Sequence, residues 1–333
     1  MERIKEIWSQ LEQNNLATAG LAKVRYSDSS LCDIFLGIKF PEKQRMNILR
    51  IPYELGKDFL FKYEFKGLKL DKVQDPNDPK YILLSLVLID SQFIDVFDTF
   101  ILDLISAVIN ESDVKTILRN YSNRLNKWQS FFEKFRPQGL TPEEQRGLFG
   151  ELFFMRRFLG SNSDYQNVIV SWVGPELQIR DFQCGKWSVE IKTTYGNNHQ
   201  KIQVSNERQL DTTNLDDLFL FHLSLEVRQK SGETLNQLVD DLSEILNSDI
   251  GARGEFQNKL IEAGYLSAQR VLYQDLGYYV RQATFYKVEG EFPRMEEKDV
   301  PDGVGDVKYS IIVSQCSGFI KNESEVLKAL NFI

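Results

Sequence analysis

The chain has 333 residues, of which 42% are hydrophobic and 26% charged, with a formal net charge of −8. These are ordinary globular values, and they exclude wholesale disorder, a fibrous repeat and a coiled coil. No apolar run reaches the about 18 residues that a membrane helix needs, so no membrane association is expected. The charged start Met1-Glu2-Arg3-Ile4-Lys5-Glu6 lacks an apolar signal region. Three scattered cysteines, Cys32, Cys184 and Cys316, form neither a disulfide framework nor a zinc pattern. A cytoplasmic protein is therefore expected. With only two histidines, chemistry has to rest mainly on carboxylates and lysines.

In chain order, residues 2–14 read as a short helix. Residues 34–40 and 47–53 are strand-like runs between turns, and Asp75-Pro76-Asn77-Asp78-Pro79 is a loop. Residues 81–89 then read as a strand, 93–109 as a helix and 111–135 as a long helix. Segment 114–140 carries Lys115, Arg119, Arg124, Lys127, Lys134 and Arg136 against one acid, Glu133. Such a stripe is either a surface that meets phosphate or a solvated helix face. The Arg136-Pro137-Gln138-Gly139 stop divides an α+β domain, 1–137, from a second domain, 138–333. The acidity belongs to the far end, where residues 231–333 hold 10 basic and 17 acidic side chains.

Thr141-Pro142-Glu143-Glu144 marks the next helix with an N-cap threonine, a first-turn proline and a glutamate three residues after the cap. That helix should run to about Leu159 and stop at Gly160. Segments 168–173 and 177–183 look strand-like, and 187–194 is a strand after a Gly185-Lys186 turn. Residues 217–228 follow as a strand, 233–246 and 255–263 as helices, and 278–288 and 307–313 as late strands around a polar loop, 289–306. His222 falls within the 217–228 strand and is given no special role.

The hairpin around Gly185-Lys186 holds the candidate chemistry. A two-residue turn pairs Asp181 with Glu190, and strand alternation separates two faces. Phe182, Cys184, Trp187, Val189 and Ile191 form the apolar face, while Asp181, Gln183, Ser188, Glu190 and Lys192 form the polar one. Opposed carboxylates repel, and a divalent cation with oxygen ligands, Mg²⁺ or Mn²⁺, would offset this. Asp…Glu-x-Lys alone is a weak signal, equally written by an exposed hairpin with an ordinary ion pair. On the capped helix, Glu151 falls on an apolar arc with Leu148, Met155 and Phe158, either facing a paired environment or emerging at the helix edge. Gly147 and Gly150 lie in the same helix, each costing about 1 kcal/mol relative to Ala; either a close approach there or packing accounts for them.

Gly147-Leu148-Phe149-Gly150-Glu151-Leu152, Arg180-Asp181-Phe182, Val189-Glu190-Ile191-Lys192-Thr193-Thr194 and the Ser205…Gln209-Leu210 segment resemble the PD-(D/E)XK nuclease superfamily. They resemble more closely a bacterial family of that superfamily found beside restriction-modification and phage-defence genes. The resemblance implies a restriction-endonuclease-like α/β core, built of a helix and a mixed central sheet with a carboxylate-bearing hairpin, behind an accessory N-terminal domain for DNA or partner binding. It implies Asp181, Glu190 and Glu151 as catalytic metal ligands for Mg²⁺, with Mn²⁺ as substitute, and Lys192 as the catalytic lysine. The proline of the motif is missing; Arg180 stands before Asp181. Gln209 resembles the glutamine that many members carry after the lysine. Gln209, Lys201, Arg208 and His199 are candidate DNA contacts, and His199 is otherwise a plain loop histidine.

The expectation is a Mg²⁺-dependent DNA endonuclease acting on double-stranded DNA in restriction or phage defence. A homodimer is expected, with a DNA methyltransferase or other defence-system proteins as partners. The rivals are a catalytically silent nuclease-like binding subunit and a repair or recombination nuclease.

Overall fold

A computed structural model describes residues 2–13, 20–59, 63, 65–134, 136–161, 164–176, 178–196 and 201–330. The chain parts into two compact units, Met1–Pro137 and Gln138–Ile333.

The first unit contains helix α1 (Glu2–Glu12), strands β1 (Gly20–Arg25), β2 (Asp33–Phe40) and β3 (Gln44–Pro52), a single turn α2 (Tyr53–Gly56), strands β4 (Leu68–Gln74) and β5 (Tyr81–Leu88), and helices α3 (Ile94–Ser106) and α4 (Val114–Lys134). The strands form one antiparallel sheet in the order β1-β2-β3-β5-β4. Aromatic side chains fill the helical side, with Phe100 5.0 Å from Trp128 and Phe65 5.3 Å from Phe132 between ring centres. Buried indoles still need acceptors. Trp8 Nε1 donates to Asp98 at 2.8 Å and Trp128 Nε1 to Asp103 at 2.9 Å. Lys115, Arg119 and Lys127 are exposed on α4, and Arg124 pairs with Asp103.

The second unit runs α5 (Pro142–Ser161), α6 (Tyr165–Ser171), β6 (Phe182–Cys184), β7 (Trp187–Tyr195), β8 (Lys201–Val204), β9 (Asp217–Gln229), β10 (Glu233–Thr234), α7 (Leu235–Ile245), α8 (Ile250–Glu262), β11 (Leu276–Lys287), β12 (Tyr309–Ile312), β13 (Ile320–Lys321) and α9 (Glu323–Ala329). The main sheet has the order β10-β11-β9-β7-β6, with β13 on β11. Among the described strands only β7 and β9 run parallel, so the sheet is mixed, and a bulge at Val280/Gln282 bends it. Strands β8 and β12 form a separate pair. The unit is a mixed α/β structure. Strand β9 is buried on both faces from Leu218 to Leu225, where six of its eight residues are apolar.

The capping box that begins α5 is fully formed. The Thr141 amide donates to Glu144 at 2.8 Å, and the Glu144 amide to Thr141 Oγ1 at 3.2 Å. Strands β1, β4 and β8 go beyond the sequence reading, and two stretches depart from it. Residues 168–173 do not form a strand; 165–171 are helix α6, and the chain continues in a 3-10 turn, Gly174–Glu176. A short apolar run carries no decisive period. Here the Asp164 side chain caps the helix by accepting the Asn167 amide at 3.1 Å, and Val168, Ile169 and Trp172 bury one side of it. Of the strand expected over 177–183, Phe182 and Gln183 are in β6, while residues 178–181 lie outside it.

Candidate active site

The hairpin has the register that its two-residue turn dictates, with Phe182 opposite Val189 and Cys184 opposite Trp187. Gly185 takes φ +54°, which L side chains avoid. Phe182, Val189 and Ile191 face the main core under α5, while Ser188 and Glu190 lie on the other face and are also buried. Asp181 stands one residue before β6 and does not continue the ladder as a simple opposite of Glu190. Its backbone carbonyl accepts the amides of Val173 and Gly174, and its carboxylate Oδ2 accepts the Ile191 amide at 2.6 Å. The side chain therefore satisfies the edge of β7 just where β6 ends.

Helix α5 lies close to this edge because of Gly150. A Cβ there would meet Thr193 Cγ2 at 2.4 Å, a distance real Cβ atoms do not adopt. Gly147 has open space at the same test, so close approach does not account for it. The approach of α5 delivers Glu151, whose Oε2 accepts the Trp172 indole N–H at 2.7 Å. A Cβ at Gly174 would stand 3.1 Å from Glu151 Oε2 and 3.3 Å from Asp181 Oδ1. A larger residue at 174 would press on both carboxylates. Sequence reasoning did not single out Trp172 or Gly174; the Trp172-Val173-Gly174-Pro175 turn was the one available signal.

Lys192 reaches Glu190 Oε1 at 2.8 Å and donates to Gln209 Oε1 at 3.1 Å. Gln209 belongs to a 3-10 turn, Glu207–Leu210, and the same oxygen accepts the Ser205 amide at 3.0 Å. Arg180 clamps that turn from the other side of Asp181. Its Nε donates to the Gln209 carbonyl at 3.1 Å, and its Nη2 to the carbonyls of Arg208, at 3.0 Å, and Asp211. On the neighbouring parallel strand His222 lies beside Lys192 in register and meets Thr194 Oγ1 at 2.8 Å.

Electrostatics sets this cluster apart. The Glu190 side chain is 1% exposed and that of Lys192 16%, while Glu151 and Asp181 keep partial exposure. Burial and then repulsion from Asp181 push Glu190 up to about 8, against the pull of Lys192. Burial and then Asp181 raise Glu151 well above the usual carboxylate range, and burial raises Asp181. Lys192 is raised too; burial opposes its charge, and Glu190 with Asp181 outweighs that. One ammonium against three carboxylates leaves the site with excess negative charge that protons relieve. Glu190 Oε2 is buried and has no hydrogen-bond partner, which is costly unless something else binds there.

The remaining sequence candidates fall elsewhere. Lys201 opens β8 with its side chain exposed, and Arg208 pairs with Glu297 at 3.3 Å. His199 lies outside the described residues. Among the described residues, no three of His, Cys, Asp and Glu stand in a ready metal-holding arrangement. The triple Asp181, Glu190 and Glu151 is gathered but not drawn tight: Ile191, Lys192 and the Trp172 indole each hold one of its oxygens.

A capped helix, a carboxylate-bearing hairpin and a lysine two residues beyond a sealed glutamate define a mixed α/β protein with a buried carboxylate–ammonium centre. The chain belongs to the family described as "Putative PD-(D/E)XK family member, (DUF4420)", whose profile matches residues 4–314. Members of the PD-(D/E)XK superfamily are typically metal-dependent nucleases. No curated protein and no solved structure gives a significant match to the chain.

Proposed function

We propose that this protein is a Mg²⁺- or Mn²⁺-dependent DNA endonuclease with a restriction-endonuclease-like core. The observation that carries the reading is the gathering of Glu151, Asp181 and Glu190 around one edge of β7 with Lys192 among them. The residues fit a hard divalent cation. All donors are carboxylate oxygens, Glu190 Oε2 is sealed without a partner, and Gly174 leaves the space between Glu151 and Asp181 free of a side chain.

Glu151, Asp181 and Glu190 would hold the ion. Bound there, it would polarise a phosphodiester and acidify the attacking water. Lys192 would orient that water and offset charge on the phosphate. Gln209 fixes the lysine's direction, and the Trp172 indole fixes Glu151. Exposed basic side chains, among them Lys201, Lys115, Arg119 and Lys127, would meet the DNA backbone. Double-stranded DNA as substrate, a homodimer that cuts both strands, and a setting in restriction or phage defence beside a methyltransferase complete the proposal. A repair or recombination nuclease would use the same chemistry.

The second reading, a silent binding subunit, is favoured by one observation: the Lys192 ammonium sits on Glu190 and the carboxylates form no ready metal cage. Cleavage of plasmid and phage DNA, modified and unmodified, with Mg²⁺, Mn²⁺ or chelator separates the two. We expect metal-dependent nicking or cutting, reduced at least about 10²-fold by Asp181→Asn. DNA binding without cleavage in either metal favours the binding subunit.

A further inference from the structure

The residue before Asp181 is the place where this chain departs from the motif it otherwise resembles, and that residue does something a proline cannot. Arg180 is partly buried, and its guanidinium is directed not at a carboxylate but at three backbone carbonyls, those of Arg208, Gln209 and Asp211. The planar fork of arginine suits such multiple acceptance. These carbonyls belong to one turn, and the turn's Gln209 side chain is the acceptor for Lys192. Arg180 is also covalently next to Asp181, whose carboxylate and carbonyl are both fixed, by Ile191 and by residues 173 and 174. One residue thus ties the strand that presents Asp181 to the turn that aims Lys192, across 28 to 31 positions of sequence.

We propose that Arg180 is a positioning residue, a clasp that holds the 207–211 turn so that Gln209 directs Lys192 into the site. The proposal rests on the nuclease reading for its kinetic consequence but not for its structural one. Removing the guanidinium frees three carbonyls and the turn with them. Gln209 then samples other orientations, and Lys192 loses the acceptor that holds it beside Glu190. Misplacement of this size acts on turnover more than on DNA affinity, because phosphate contacts elsewhere carry the binding. The turn has other anchors, Glu207 to the Val307 amide at 2.8 Å and Asn206 to Asp306 at 3.0 Å, so the unit keeps its fold when Arg180 is replaced.

Two measurements on the full-length chain test this. The first needs neither metal nor DNA: amide hydrogen exchange of peptides covering 203–213 in wild type and Arg180→Ala. Faster exchange there by about 10-fold, with β7 and β9 unchanged, is expected; unchanged exchange in that turn overturns the clasp, as does equal loosening of the whole unit. The second is a double-mutant cycle on DNA cleavage. Arg180→Ala and Gln209→Ala should each lower kcat by about 10- to 10²-fold with KM changed less than about 3-fold, and the double variant should be no slower than Gln209→Ala. Additive losses would mean that Arg180 acts on substrate directly and overturn the proposal. Arg180→Lys keeps the charge but not the fork, so full activity in that variant overturns it as well. Arg180→Gln replaces the alanine variant if that one does not fold. Wild type that cuts no DNA in Mg²⁺ or Mn²⁺ defeats the nuclease reading alone, and the exchange measurement then decides the clasp.

Discussion

Two clusters in this molecule gather three carboxylates around a central cation with opposite electrostatics, and in the first Arg25 adds a second guanidinium at Asp33. In the first unit Arg50 reaches Asp75 at 2.7 Å, Asp33 at 3.2 Å and Asp78 at 3.3 Å, and lies over the Tyr81 ring. In the second unit Lys192 reaches only Glu190, while Asp181 and Glu151 are satisfied by an amide and an indole. Asp75 is held below its ordinary range: burial would raise it, but the Asn77 amide and Arg50 outweigh burial. Glu190 goes the other way, up to about 8. The difference is geometric. A guanidinium fork serves three acids at once, whereas an ammonium is a point charge. The Arg50 cluster is complete as it stands, and the Lys192 cluster is not. Incomplete charge in a partly open site is what a binding or catalytic centre needs.

The largest expected effect that sharpens this contrast is on Lys192. Lys192→Ala should abolish detectable cleavage, a loss of about 10³-fold or more, with DNA binding in Ca²⁺ retained. It should also destabilise the metal-free protein, because it leaves the sealed Glu190 without its cation. That loss in melting temperature should grow between pH 6 and pH 9 as Glu190 ionises, and a loss independent of pH would show that the pair is not coupled. Arg50→Ala should cost about 3 kcal/mol by stranding the buried Asp75, read by denaturant unfolding. Cleavage per folded molecule should not change.

The two clusters should also bend stability in opposite pH ranges. Glu151 and Glu190 are raised in the fold, so the unfolded chain loses their protons first. Metal-free stability should therefore fall as pH rises from about 5, through the range above the ordinary glutamate value, with the Glu190 share of the loss complete beyond about 8. Asp75 is depressed, so its contribution is present above the ordinary aspartate value and is lost as pH falls below about 4. Calorimetry across pH 3–9 checks both limbs. Millimolar Mg²⁺ or Mn²⁺ should remove the alkaline limb and raise stability, by about 2.7 kcal/mol at a hundredfold excess over Kd, while leaving the acid limb untouched. The smallest effect is on Glu151→Gln. The amide oxygen still accepts from Trp172 and repulsion by Asp181 disappears, so the metal-free melting temperature should rise by a few degrees while cleavage falls. A lower melting temperature would mean that Glu151 is not under repulsion.

Much of this site was written locally. The Thr141-Pro142-Glu143-Glu144 start of α5, the Gly185-Lys186 turn and the alternation through β7 depend on contacts within a few residues or on a period of two. They placed Glu190 and Lys192 on one face with the hairpin in register. The same locality explains the errors. Residues 168–173 carry an apolar run that either period accommodates, and only the Asp164 cap and burial of Trp172 made it a helix.

What the tertiary structure alone decided are the contacts between distant residues. Asp181 leaves the strand to take the Ile191 amide because β6 ends there, which no strand pattern encodes. Trp172 reaches Glu151, Gly174 gives both acids room, and Gln209 receives Lys192 because an arginine before Asp181 clasps its turn. The hydrogen-bonded partners lie 10 to 31 positions apart, beyond the range of helix or strand periodicity. Hydrogen bonds across such separations form only once α5, the hairpin and the 207–211 turn have been brought together by the core beneath them. The residue types available to the site are a matter of sequence; the packing of α5 on β7 at Gly150 decided which of them met.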